Sequence, residues 1–145
     1  MTDSNAADRA LDVVCVGNAI VDVLAQTADD VIEQHGMVKG TMALIDADQA
    51  EALYAAMPQG VETSGGSAGN TAAGLASLGA QCAFIGKVRD DQLGDIFAHD
   101  IRAVGAEFVT PAATDGPPTA RCLILITPDA QRTMNTFLGA SGNLG

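Results

Sequence analysis

Between residues 71 and 109 the chain alternates helix-forming and strand-forming runs, and this alternation constrains the fold more than any other feature. The small-residue run Thr71–Leu78 reads as a helix closed by Gly79, and Cys82–Val88 reads as a strand. A further helix begins at Asp90 or Asp91 and stops at Gly105, and Glu107–Val109 is extended. Such alternation is the pattern of a parallel sheet with helices on its faces. Composition agrees with it. Hydrophobic residues make up 48% of the 145, yet aromatics only 3%, so the core is expected to be built from Ala, Val, Leu and Ile in tight helix-on-sheet packing.

The flanks follow a different rhythm. Residues 1–10 read as a disordered tail, Leu11–Val16 as a buried strand and Ile20–Ala25 as a second strand carrying Asp22. Asp29–His35 is a short helix ending at Gly36, and Thr41–Ile45 a short strand. Asp46 and Gln49 are spaced as a capping box for a helix that Pro58 stops. Ser64–Gly69 reads as a glycine-rich loop. Ala120–Thr127 and Gln131–Phe137 form a hairpin about Pro128–Asp129–Ala130. The hairpin and the early strands are expected to form a second, smaller sheet. The chain stops within LGASGNLG, which reads as a connection, so it is expected to be part of a longer protein.

Charge narrows the partners. With 7 Lys+Arg against 18 Asp+Glu the net charge is −11, which leaves no basic face for nucleic acid or for an anionic membrane. No apolar run is long enough to span a bilayer, and the polar, acidic N-terminus is unlike a signal peptide. Cys15, Cys82 and Cys122 lie inside apolar runs and read as buried thiols of a cytoplasmic protein. Two distant histidines give no metal-site spacing, and neither phosphate-loop nor dinucleotide glycine patterns occur.

Three local features bear on chemistry. Gly65 and Gly66 open a helix in SGGSAGN, where backbone can approach a ligand closely; an ordinary turn explains them equally well. Asp22 interrupts an apolar strand, either facing water or offering acceptor oxygens to a polyol or ribose. The run Gly65–Gly69 also fits G-x-S-x-G, the nucleophile elbow of serine hydrolases, with Ser67 as nucleophile. That reading lacks a strong strand before the serine, since MPQGVETS is a poor one, and a histidine on a following loop, since His99 sits mid-helix.

Together VVCVGNAIVD (13–22), the long run from Gly65 to Gly94, and PPTARCLILITPDAQRTMNTFLGAS (117–141) resemble the N-terminal half of ribokinase-family kinases. These are the phosphofructokinase-B type of sugar and nucleoside kinases, and the Gly17-Asn18…Asp22 spacing is most similar to the adenosine-kinase branch. The resemblance implies a central, mostly parallel sheet with helices on both faces and a small β-sheet lid, with lid strands around 20–26, 41–45 and 108–137. It implies ATP-dependent phosphorylation of a sugar or nucleoside hydroxyl, with ATP and Mg2+ used by the whole enzyme. Asp22 would bind acceptor hydroxyls, with Asn18 and Asn70 at the same pocket. Gly65 and Gly66 would contact the sugar and hinge the lid, and Arg132 would contact phosphate or acceptor or be a solvated hairpin charge. A homodimer through the lid is a further expectation. Two departures stand out: Arg89 replaces the signature's last glycine, and the family's second motif, with its catalytic aspartate and anion hole, does not occur. No residue here is expected to act as catalytic base, so the chain alone is expected to be inactive. A non-catalytic sugar- or nucleoside-binding module remains the alternative.

Overall fold

The structure, a computed structural model, describes residues 10–145; the expected tail lies outside the described residues but for Ala10. In chain order the elements are β1 (Val13–Val16), β2 (Ile20–Gln26), α1 (Asp29–Gln34), β3 (Met42–Leu44), α2 (Ala47–Ala56), β4 (Val61–Gly65) and α3 (Ser67–Ser77). They continue with β5 (Cys82–Ile85), α4 (Gln92–Ala103), β6 (Ala120–Ile126), β7 (Arg132–Phe137) and a short 3-10 helix, Gly139–Asn143. Among the described residues no helix is long and apolar enough to cross a membrane.

Two sheets result. β1 and β5 pair in parallel, and a five-stranded mixed sheet runs β3-β7-β6-β2-β4. In the larger sheet β2/β6 and β3/β7 are parallel while β2/β4 and β6/β7 are antiparallel. It gathers the early strands and the hairpin as the sequence suggested, with five strands beside the two of the β1/β5 pair. Residues 108–119 contribute none of its strands; the extended segment before them makes an isolated parallel bridge from Glu107 to Ala83.

Local chemistry accounts for the helix ends. Asp46 Oδ1 accepts from Gln49 N–H at 2.8 Å and Gln49 Oε1 accepts from Asp46 N–H at 3.0 Å, the reciprocal capping box. Asp91, not Asp90, caps α4, accepting from Gly94 N–H at 2.8 Å while also bonding Thr119 N–H and hydroxyl.

Three expectations need correction. The expected loop Ser64–Gly69 is a strand end and a helix start joined by Gly66 alone, whose φ of +85° makes the turn in one residue. The poor strand before it forms because β2 supplies a full antiparallel partner and because Ser64 N–H donates to Asp100 Oδ2 at 2.9 Å. The strand begun at Leu11 starts at Val13, and of its four residues only Cys15 is buried.

The core also differs in kind from its expected aliphatic composition. Three of the four phenylalanines, Phe84, Phe97 and Phe108, meet between β5, α4 and the segment after it, with ring centroids 5.4 to 5.9 Å apart. Edge and tilted contacts of this kind contribute beyond burial alone. Around them pack Cys15, Val21, Val23, Ala72, Ile101, Leu123 and Leu125. Val21 and Val23 point to the face of the large sheet that α4 covers, which places their neighbours Ile20, Asp22 and Leu24 on the other face.

Candidate active site

Register across the large sheet builds the site. Asp22 lies opposite Thr63 of β4 and Cys122 of β6, and Cys122 lies opposite Thr136 of β7. Residues in register share a face, so Thr63, Asp22, Cys122 and Thr136 form one row across four strands. The Thr136 hydroxyl meets Cys122 Sγ at 3.3 Å. Apolar side chains flank the row on the same face: Ile20 and Leu24 on β2, Ile124 on β6, and exposed Met42, Leu44 and Val61 on the outer strands. The result is an open, largely apolar surface with one carboxylate near its middle.

Asp22 makes no hydrogen bond to any described side chain or backbone group. Partial burial without a partner penalises its charged form and raises its pKa above the usual carboxylate value. Cys122 is raised as well, first by burial, with the Asp22 charge adding to it. A carboxylate held this way has its acceptor capacity unspent.

The glycines are explained by what surrounds Asp22. A Cβ added to Gly65 would lie 2.5 Å from Asp22 Cγ and 2.7 Å from Oδ1, with Oδ2 closer still. Gly65 therefore exists as the space in which the carboxylate sits. Gly66 answers a different need: its φ is +85°, and a Cβ there would meet the Asn18 carbonyl oxygen at 2.7 Å. The Gly17–Ala19 connection is thus pressed against the β4–α3 junction, and a Cβ on Gly17 would lie 2.7 Å from Ala68 Cβ.

Helix α3 has no side-chain cap, and its first backbone donor to find a carbonyl is Asn70 N–H, to Gly66 at 2.8 Å. The N–H groups of Ser67, Ala68 and Gly69 are the unpaired donors of a helix start. Donors at this junction and acceptors on Asp22 suit a ligand bearing hydroxyls, which need both.

The structure therefore brings Asp22, Gly65, Gly66 and Asn18 together, and sets Asn70, with its side chain exposed, one turn into α3. Arg132 is set apart from them. It begins β7 opposite Ile126, four residues from Thr136 and so roughly 13 Å along the strand from the Asp22 row. Ser67 opens α3 and exchanges no hydrogen bond with His35 or His99; His99 contacts Asp100 instead, at 3.2 Å. The nucleophile-elbow pattern is present without the triad geometry it needs. Sequence reasoning missed Thr63, Cys122 and Thr136 as neighbours of Asp22. ARCLILI is buried along almost its whole length and apolar at every position but Arg121, so its pattern carries little signal of which residues meet the carboxylate.

On the opposite face, supporting contacts fix the strands. Tyr54 donates its hydroxyl to Glu62 Oε1 at 2.5 Å, tying α2 to β4. Buried Arg121 donates to Glu51 Oε2 at 2.5 Å and stacks 5.3 Å from the Tyr54 ring centroid. A cavity of about 410 Å3 lies there, lined by Val23, Tyr54, Met57–Gly60 and Glu62. Two of its three polar side chains, Tyr54 and Glu62, already satisfy each other, and it shares no residue with the Asp22 row.

Comparison with known proteins gives this geometry its family. An adenosine kinase from Sinorhizobium meliloti superposes with a TM-score of 0.85 at 57% identity, over 93% of this chain and 41% of its own. A probable sugar kinase from Rhizobium etli gives 0.85 at 52% identity, over the same two shares. An adenosine kinase from Anopheles gambiae, at 21% identity, shares the fold with a TM-score of 0.81, over 91% of this chain and 40% of its own. This chain thus spans about 41% of the length of the solved relatives it matches. The pfkB family carbohydrate kinase pattern matches residues 10–145, and the chain belongs to that family.

Proposed function

We propose that this chain forms the acceptor half-site of a kinase that phosphorylates a hydroxyl of a nucleoside or sugar. The observation that carries the reading is the unpartnered, half-buried carboxylate of Asp22, with the space above it cleared by Gly65. In this reading Asp22 accepts hydrogen bonds from a vicinal diol, because an ionised carboxylate offers two acceptor oxygens and no donor. Gly65 and Gly66 let the ligand approach the backbone, and the free N–H groups at the start of α3 donate to its oxygens. Asn18 and Asn70 supply amide contacts at the rim. The apolar residues beside the row, Ile20, Leu44 and Ile124, would carry a flat or apolar part of the acceptor, which favours a nucleoside over a free sugar. The relatives from Sinorhizobium meliloti and Rhizobium etli, an adenosine kinase and a probable sugar kinase, span the same two classes. Arg132, at the far end of β7, reads here as a solvated hairpin charge.

The phosphoryl donor implied by the family is ATP with Mg2+, which would supply the transferred group and charge neutralisation. The described residues do not fit that role: no three His, Cys, Asp or Glu side chains converge among them. What the chain's residues do is bind and orient the acceptor.

Calorimetric titration of adenosine, ribose and fructose into the chain tests this, with circular dichroism confirming the fold. Saturable binding is expected, strongest for adenosine. Because hydrogen bonds to a charged group are worth about 1.5–3 kcal/mol, Asp22→Ala should weaken it about ten- to hundred-fold. A folded chain that binds none of the three sinks the reading.

A further inference from the structure

The face of the large sheet that turns away from Asp22 holds a separate cavity with a buried amide in it. Asn135 of β7 lies opposite Leu123 of β6 and Ala43 of β3, and Leu123 lies opposite Val23, so Asn135 belongs to the row behind Asp22. Thr136, the next residue, belongs to the row in front. Helix α2 packs over the back of β6 and β7. Between α2, the turn that follows α1 and the end of β3 a cavity of about 220 Å3 remains, with Asn135 and Leu53 buried on its floor. Met37 and Ile45 form its walls, and exposed His35, Gln49 and Ala52 its rim.

An asparagine in such a place needs an explanation. Asn135 is only 4% exposed. Its side chain offers both donors and acceptors, and buried amides are ordinarily paired. Among the described residues its one side-chain hydrogen bond runs from Nδ2 to Met37 Sδ at 3.5 Å, and a thioether is a weak acceptor. Leu123 and Ala43, its neighbours in register, have no side-chain donor for the amide oxygen. Gln49 Oε1 is already committed to the Asp46 N–H. Water fills the gap poorly: a buried water makes about three hydrogen bonds, and the side chains of Met37, Ile45 and Leu53 supply none.

We propose that this cavity is a binding site for a small flat molecule with a carboxamide or lactam edge. Asn135 pairs with that edge, Nδ2 donating to the ligand's carbonyl oxygen and Oδ1 accepting from its N–H. The ring behind the edge lies against the Met37 sulfur and between Ile45 and Leu53, and thioethers contact aromatic rings favourably. At about 220 Å3 the cavity is smaller than the pockets that hold drug-sized ligands, so it suits a single ring. It shares no residue with the Asp22 row, and the inference does not rest on the acceptor site.

Nicotinamide is the probe, and heteronuclear NMR of the isotope-labelled 145-residue chain is the readout. Saturable shifts are expected at the Asn135 side-chain amide and at the Met37 methyl group. N,N-dimethylnicotinamide keeps the ring and the carbonyl but has no amide N–H, and should bind at least about tenfold more weakly. Asn135→Leu, which keeps the size of the side chain, should weaken nicotinamide at least about tenfold, read at Met37. Ala52→Trp, at an exposed rim position of α2, should block the mouth with the same effect, and it decides the matter if Asn135→Leu does not fold. Asp22→Ala should leave the shifts unchanged, which separates this site from the acceptor site. The proposal is overturned if nicotinamide gives no saturable shift at these groups, or if the dimethyl derivative binds as tightly. It is overturned equally if either folded variant of the cavity binds nicotinamide as the unaltered chain does, or if Asp22→Ala abolishes the shifts. Failure of adenosine, ribose and fructose to bind bears on the acceptor site alone, so the two proposals fail separately.

Discussion

Replacing Gly65 by Ala tests whether that glycine exists for the sake of Asp22. The backbone at Gly65 has no positive φ, so alanine enters β4 without conformational strain. Its methyl group would instead press on Asp22, 2.5 Å from Cγ and 2.7 Å from Oδ1, well inside van der Waals separation. Asp22 has no partner and its carboxylate is the far end of a side chain that can turn, so the cost is that of an off-rotamer aspartate, about 0.5–1.5 kcal/mol. Unfolding 145 residues carries an entropy of roughly 0.3 kcal/mol per degree, so Tm should fall by about 2–5 °C. The same substitution made in an Asp22→Ala background meets no carboxylate. There it should cost less than about 0.5 kcal/mol, or stabilise slightly, because alanine is favoured over glycine within a strand. Thermal and urea unfolding of the two single variants and the double variant, followed by circular dichroism, should give a coupling energy of about 0.5–1.5 kcal/mol. Equal losses in both backgrounds would refute the argument and place the constraint in the β2–β4 pairing instead.

Two further predictions concern charge. Because burial raises the Asp22 pKa, the ionised carboxylate opposes folding: its stabilising contribution is complete below the unfolded value near 3.8 and lost as pH rises through the higher folded value. Asp22→Asn should therefore raise Tm at pH 7, an advantage that shrinks on acidification, while acceptor binding weakens; a lower Tm at pH 7 would contradict the account. Asp129 behaves oppositely, held at about 2 chiefly by hydrogen bonds from Lys39 and then Thr127. Its contribution is present above the unfolded value and lost as pH falls toward 2, so Lys39→Met should move the Asp129 midpoint, followed by NMR, up toward the ordinary range; an unmoved midpoint would refute the contact.

What the sequence made legible was mostly what is set locally. The Asp46 capping box, the stop at Gly36 and the hairpin about Asp129 depend on residues within a few positions of one another, and each is found where its residues stand. The β4 strand was not legible, because VETSG has little strand character and is stabilised by β2 and by Asp100, 36 residues from Ser64. Asp22 stood out as a charged residue in an apolar run. Its neighbours did not, because register across four strands decides that Thr63, Cys122 and Thr136 meet it, and register is a property of distant pairings. Gly65 and Gly66 were singled out as a pair, yet they answer separate demands, one for room and one for φ.

The hydrogen bond between Tyr54 and Glu62 has an optical consequence. The chain has one tyrosine and no tryptophan, so its near-ultraviolet emission comes from a single ring at the junction of α2 and β4. The bond to Glu62, with burial behind it, raises the phenol pKa, so the ring absorbs as the neutral phenol into alkaline solution. Thr63, the next residue after Glu62, turns toward Asp22 on the opposite face of the same strand. A shift of β4 on that side is therefore transmitted through one peptide unit to the native chromophore, and the unlabelled protein carries its own fluorescence gauge of what happens at the carboxylate.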